Sequence, residues 1–118
     1  MAEETRLGRV EVSPGAIAGL AGNAVLECYG VVGMAHPSLR SGLAEVLQRE
    51  SIRRGVQVRV LEERIVIDLY VVLEYGVRIS EVAHNIMENV KFRVERTLGV
   101  PIHEVNVHVQ GLRVSSRQ

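Results

Sequence analysis

The chain has 118 residues, room for one domain, and folding should remove roughly two-thirds of the unfolded surface from water. Hydrophobic residues make up 47%, too many for a disordered chain, and 14 basic residues balance 14 acidic ones, so no global field draws it to nucleic acid or an anionic membrane. One cysteine, Cys28, excludes an internal disulfide or a multi-cysteine metal site; "MAEETRLG" lacks the basic start and apolar run of a secretory signal, and no stretch nears the ~20 apolar residues of a membrane span.

In chain order, "GRVEV" predicts a short strand with Val10 and Val12 on one side and Arg9 and Glu11 on the other. Ser13 and Pro14 read as cap and first residue of a helix over 14–28, because proline needs no donor there. Its inward stripe is Ile17, Leu20, Ala21, Ala24, Val25 and Cys28, and Gly30 closes it. "VVGMA" predicts a strand, and "HPSLRSGLAEVLQRES" an amphipathic helix with Leu39, Leu43, Val46 and Leu47 inward. "VQVRVL" and "RIVIDLYVVLEY" alternate around Glu62 and Glu63, which predicts an antiparallel hairpin without the usual Asn-Gly turn. Ser80 reads as the cap of a long helix with stripe Ile79, Val82, Ala83, Ile86, Val90, Val94 and Leu98, stopped by Gly99 and Pro101. "HEVNVHVQG" is the last strand.

This order predicts an α+β fold: a two-layer sandwich whose mixed, mostly antiparallel sheet carries helices on one face, in a single domain over 1–118 with its core about 8–114. Val10, Val12, Val56, Val58, Val60, alternate residues from Ile65 to Leu73, and Val105, Val107 and Val109 form the dry side.

The opposite sheet face collects Arg59, Asp68, Tyr70, Asn106 and His108, with Arg9, Glu11, Gln57 and Gln110. Three readings stay open for it: a solvated face with charges paired across strands, a protein-docking face, and an acid–base site lacking a nameable nucleophile. The four histidines are not at metal-ligand spacing, Cys28 is in register with the core stripe, and neither a phosphate loop nor a nucleophile elbow occurs. On the first helix, Gly15, Gly19 and Gly22 align with Leu26 opposite the core stripe, at about 0.5–1 kcal/mol per interior glycine against alanine. Such a bare strip suits either a partner surface or close packing within the chain. Phe92, off the buried stripe of the long helix, joins the candidate interaction surface. "GLAG" at 19–22 matches a KH-type GxxG loop but lies inside an apolar helix, so an RNA-binding reading would need Arg49, Arg53, Arg54 and Arg59 on one face.

"GRVEVSPGAIAGLAG", "CYGVVGMA", "RRGVQVRV", "VIDLYVVLEYGVRISEVAHNIMENVK" and "VNVHVQGLRV" resemble the alkaline-shock, envelope-stress-response family of bacteria, in its single-domain YloU-like branch. The likeness runs from about Gly8 to Val114. It implies a cytoplasmic protein with no established catalysis or cofactor, self-assembly, and attachment to the membrane through a separate anchor protein. A fatty-acid-kinase-like partner, and with it a link to lipid metabolism, is a further implication. No catalytic motif is shared in that family, so none is carried over. The resulting expectation is a non-enzymatic scaffold or adaptor working as a homo-oligomer with protein partners, against an RNA-binding module or a small-molecule-sensing regulator built on Arg59, Asp68, Tyr70 and His108.

Overall fold

The computed structural model describes residues 2–4, 6–38 and 45–114. Strand β1 (Ala2–Glu4) pairs antiparallel with β2 (Arg9–Glu11) in a separate two-stranded sheet. Helix α1 (Pro14–Leu26) follows, its start fixed by Ser13, whose Oγ accepts from the Ala16 N–H at 3.1 Å. Next come β3 (Val31–Met34), a 3-10 helix (Arg49–Gly55), β4 (Val56–Leu61), β5 (Arg64–Glu74), α2 (Ile79–Leu98) and β6 (Glu104–Arg113).

The expected α+β class is what forms. Strand β5 is central: β4 pairs antiparallel with residues 64–69 and β3 with 71–73, while β6 runs parallel along 66–74. Because β6 overlaps both others, it must occupy one edge of β5 while β3 and β4 share the other. Ile65, Ile67, Leu69, Val71 and Leu73 are buried on the side where α1 contributes Ile17, Ala21 and Val25 and α2 contributes Val82, Ile86, Val90 and Val94. An aliphatic period of 2 meeting two stripes of period 3.6 makes this core. The two helices are tied by Asn89 Nδ2 donating to the Ala24 carbonyl at 3.0 Å and by Arg93 paired with Glu27 at 2.9 Å.

The turn Glu62-Glu63 has φ of 50° and 68°, so the Leu61–Arg64 pair closes a two-residue turn with positive φ at both positions, the type I′ requirement, without either usual residue. Gly99 ends α2 at φ 73°, its N–H donating to the Glu95 carbonyl at 2.8 Å, as its place in the sequence predicts.

Several expectations are corrected. Residues 10–12 do not join the main sheet; Val10 lies exposed on β2, and Val60, on β4 near the hairpin tip, is exposed as well. The expected second helix is absent from its described parts: Val46 bridges Ala35, the Leu47 N–H donates to the Met34 carbonyl at 2.7 Å, and the chain then turns into the 3-10 helix. Leu39 and Leu43 lie outside the described residues. The free edge of β3 takes up the backbone of residues 46 and 47, and that pairing overrides a helical apolar pattern. Helix α2 is capped at Arg78, without a side-chain cap bond, and not at Ser80. Helix α1 ends two residues before the expected 28.

Candidate functional site: a carboxylate web on the open sheet face

Opposite the helices, the hairpin register sets Gln57 beside Asp68 and Arg59 beside Val66. Parallel pairing on the other edge sets Asn106 beside Asp68 and His108 beside Tyr70. Arg59, Asp68, Tyr70, Asn106 and His108, named from alternation alone, thus converge, with Asp68 at the centre.

The Asp68 side chain is 6% exposed, the one buried charged residue among those described. Its Oδ2 accepts from Arg59 Nε at 2.9 Å and lies 2.8 Å from Arg59 Nη2. Oδ1 accepts from Asn106 Nδ2 at 3.0 Å and lies 3.2 Å from His108 Nε2, the geometry of donation from an Nε2-protonated ring. Tyr70 stacks on His108 with centroids 4.5 Å apart and planes 10° apart, and its hydroxyl donates to Gln57 Oε1 at 3.1 Å. Burial pushes the Asp68 carboxyl toward its neutral form; hydrogen bonds from His108, Asn106 and Arg59, with the Arg59 charge, outweigh it and hold the pKa below the ordinary value.

Chemically, this is an anchored anion. A carboxylate whose two oxygens accept four contacts and whose proton affinity is lowered makes a weak general base near neutrality. The surrounding surface is partly roofed: Gln110 Nε2 donates to the carbonyls of His36 and Pro37 at 3.2 and 3.0 Å, and Val66 and Val72 are buried on the Asp68 side of β5. The face is therefore less wet than alternation implied. Gln57 and Gln110 are members of the face whose roles emerge only with strand order. A hollow of about 340 Å³ opens at the hairpin end between Arg59, Arg64, His103 and the carboxylates of Glu62 and Glu104.

The other candidate surface is arranged differently. An added Cβ at Gly19 would meet Arg53 Nε at 3.1 Å, and one at Gly22 would meet Ile52 Cδ1 at 3.1 Å. Two of the three glycines therefore receive the 3-10 helix of the same chain, which corrects the expectation of a bare groove. Gly15 stands by Ser13, Leu26 packs against the core, and Phe92 is exposed on α2 with the Arg96 guanidinium 5.6 Å from its ring centroid. The half-buried Cys28 shares a shallow hollow with Tyr29, Asn89 and Phe92. The KH resemblance also fails geometrically: residues 19–22 lie within α1, and Arg53 rests on that helix whereas Arg59 is bonded to Asp68 across the sheet. Among the described residues, no three His, Cys, Asp or Glu side chains converge as a metal site, and no helix is long and apolar enough to cross a membrane.

Comparison with known proteins brings in the rest. Residues 2–114 match the model of the alkaline shock protein 23 family, described as having a cell envelope-related function. The uncharacterized protein YloU of Bacillus subtilis is 46% identical over 113 residues, covering 95% of this chain and 94% of YloU. The uncharacterized protein Spy1614 of Streptococcus pyogenes is 41% identical, covering 93% and 92%. A second uncharacterized Bacillus subtilis protein, YqhY, is 32% identical, covering 98% and 84%. No solved structure matches.

Proposed function

The chain belongs to the alkaline shock protein 23 family, of cell envelope-related function, and on that premise we propose that it is a non-enzymatic scaffold or adaptor of the envelope stress response, acting through self-association and protein partners. The observation that supports this reading is the state of the Asp68 web. Its carboxylate is ionised and held by Arg59, Asn106 and His108, so the most organised polar cluster on the sheet stiffens a surface and presents no poised acid, base or nucleophile. A rigid face with its charges already paired can meet another protein without leaving a lone buried charge.

On this reading the protein works in the cytoplasm and reaches the membrane through an anchor protein, with a fatty-acid-kinase-like protein as the partner that links it to lipid metabolism. The test is in-cell crosslinking followed by affinity purification of the tagged chain and identification of what remains attached. Recovery of copies of the chain itself with a membrane-bound partner is the expected result. A protein that stays monomeric in light scattering and comes through crosslinking alone would overturn the proposal.

A further inference from the structure

At the hairpin end of the open sheet face, the two pairings of β5 line up a row that the linear sequence scatters. Arg59 of β4 lies beside Val66, and Glu104 of β6 lies beside the same Val66 from the other edge. Neighbouring strands are about 4.8 Å apart, so a guanidinium and a carboxylate are rooted about 10 Å from one another across a single valine. The next row outward sets Leu61 beside Arg64, on the same face because each is two residues along its strand from Arg59 and Val66. His103 is held against this end by its N–H, which donates to the Ile65 carbonyl at 2.9 Å. With Glu62 of the turn these residues line the hollow of about 340 Å³, within the size range of small-molecule sites.

Floor and rim differ in character. Val66 is 5% exposed although it lies on the side away from the helices, whereas Leu61, Glu62, Arg64, His103 and Glu104 are exposed. Arg59 gives Nε and Nη2 to Asp68 and keeps Nη1. Among the described residues, Glu62, Arg64 and Glu104 form no ion pair. The rim therefore holds two guanidinium groups and two carboxylates in formal balance. A simple anion would meet Glu62 and Glu104 and a simple cation would meet Arg59 and Arg64, so each is opposed by half the rim. A molecule that carries both signs, with an aliphatic group between rim and floor, meets a complementary partner on every side.

We propose that this hollow binds a free aliphatic α-amino acid. Its carboxylate is taken by Arg64 and by Arg59 Nη1, since guanidinium groups match carboxylate geometry and stay charged at any physiological pH. Its ammonium is taken by Glu104, across the valine, and its side chain covers Val66 and Leu61. The site goes beyond the scaffold reading and is independent of it: ligand titration reads one and association reads the other.

The experiment titrates the ¹⁵N-labelled full chain with L-leucine and follows amide shifts by NMR. Shifts confined to residues 59–66 and 102–105 are expected, with a Kd in about the millimolar range, as suits an open hollow with a few charge-assisted contacts. Leucinamide lacks the anionic end and N-acetylleucine the cationic end, and each should bind roughly tenfold more weakly or worse. Arg64→Gln and Glu104→Gln, both at exposed positions, should each weaken leucine binding by a similar factor, with circular dichroism confirming the fold. No shift at these residues at leucine concentrations about tenfold above the millimolar range would overturn the proposal. So would leucinamide, N-acetylleucine or inorganic phosphate binding as tightly as leucine, or leucine binding that ignores both substitutions. None of these results touches self-association, so the scaffold reading stands or falls on its own test.

Discussion

Replacing Asp68 by asparagine keeps the shape of the side chain but leaves one acceptor oxygen where the carboxylate offers two, and turns an N–H group toward donors. Four contacts feed the carboxylate, at 2.8–3.2 Å. A hydrogen bond to a buried charge contributes about 1.5–3 kcal/mol, but the Arg59 and His108 side chains are 50% and 43% exposed and regain water when released. Their shares fall toward the value of about 1 kcal/mol or less seen for surface pairs. The net loss for Asp68→Asn is therefore about 1–3 kcal/mol, which for a chain of this size is a drop of roughly 4–15 °C in melting temperature. Arg59→Gln should cost less, because Asp68 then keeps Asn106 and His108. The acid dependence follows from the same web. Since the folded carboxyl titrates below its ordinary value, its stabilisation is complete above the unfolded pKa and is lost as pH falls through the folded one. Melts followed by circular dichroism from pH 7 to pH 3 should show a constant gap between wild type and Asp68→Asn near neutrality and a shrinking gap in acid. A variant melting within about 1 °C of wild type at pH 7, or a gap that widens on acidification, would refute the reasoning.

Other sites give sharper signs. Glu62→Asn with Glu63→Gly supplies the residues that positive φ favours, and the double variant should gain about 1 kcal/mol by chemical denaturation; a loss would mean that the turn is not type I′. An added Cβ at Gly55 would lie 2.9 Å from both the Ala35 carbonyl oxygen and Met34 Cβ, so Gly55→Ala should destabilise by about 1–3 kcal/mol, whereas Gly76→Ala, with open space around it, pays only for its φ of 101°. A loss below about 0.5 kcal/mol at Gly55 would contradict the packing of the 3-10 helix end. Ile86→Ala, at the fully buried centre of α2, should cost about 2–5 kcal/mol in urea unfolding, and a cost below 1 kcal/mol would place α2 off the core.

Much of this protein is local and was therefore legible. The period-2 run in β5, the Ser13-Pro14 start of α1, the stripe of α2 and its Gly99 stop each depend on neighbours within a few residues, and the polar set around Asp68 follows from alternation alone. What required the tertiary structure is partnership. A strand shows the same alternation whichever strand lies beside it, so nothing in the sequence orders β6 against β5 in parallel or places a bulge at Gln110. The segment at residues 46 and 47 reads as helix until the free edge of β3 takes its backbone, and the glycines of α1 read as an open strip until Ile52 and Arg53 fill it. Propensity and patterning are set within a few residues along the chain. Strand order, edge coverage and close packing are set by hydrogen bonds and side chains tens of residues apart, and only the folded arrangement holds that information.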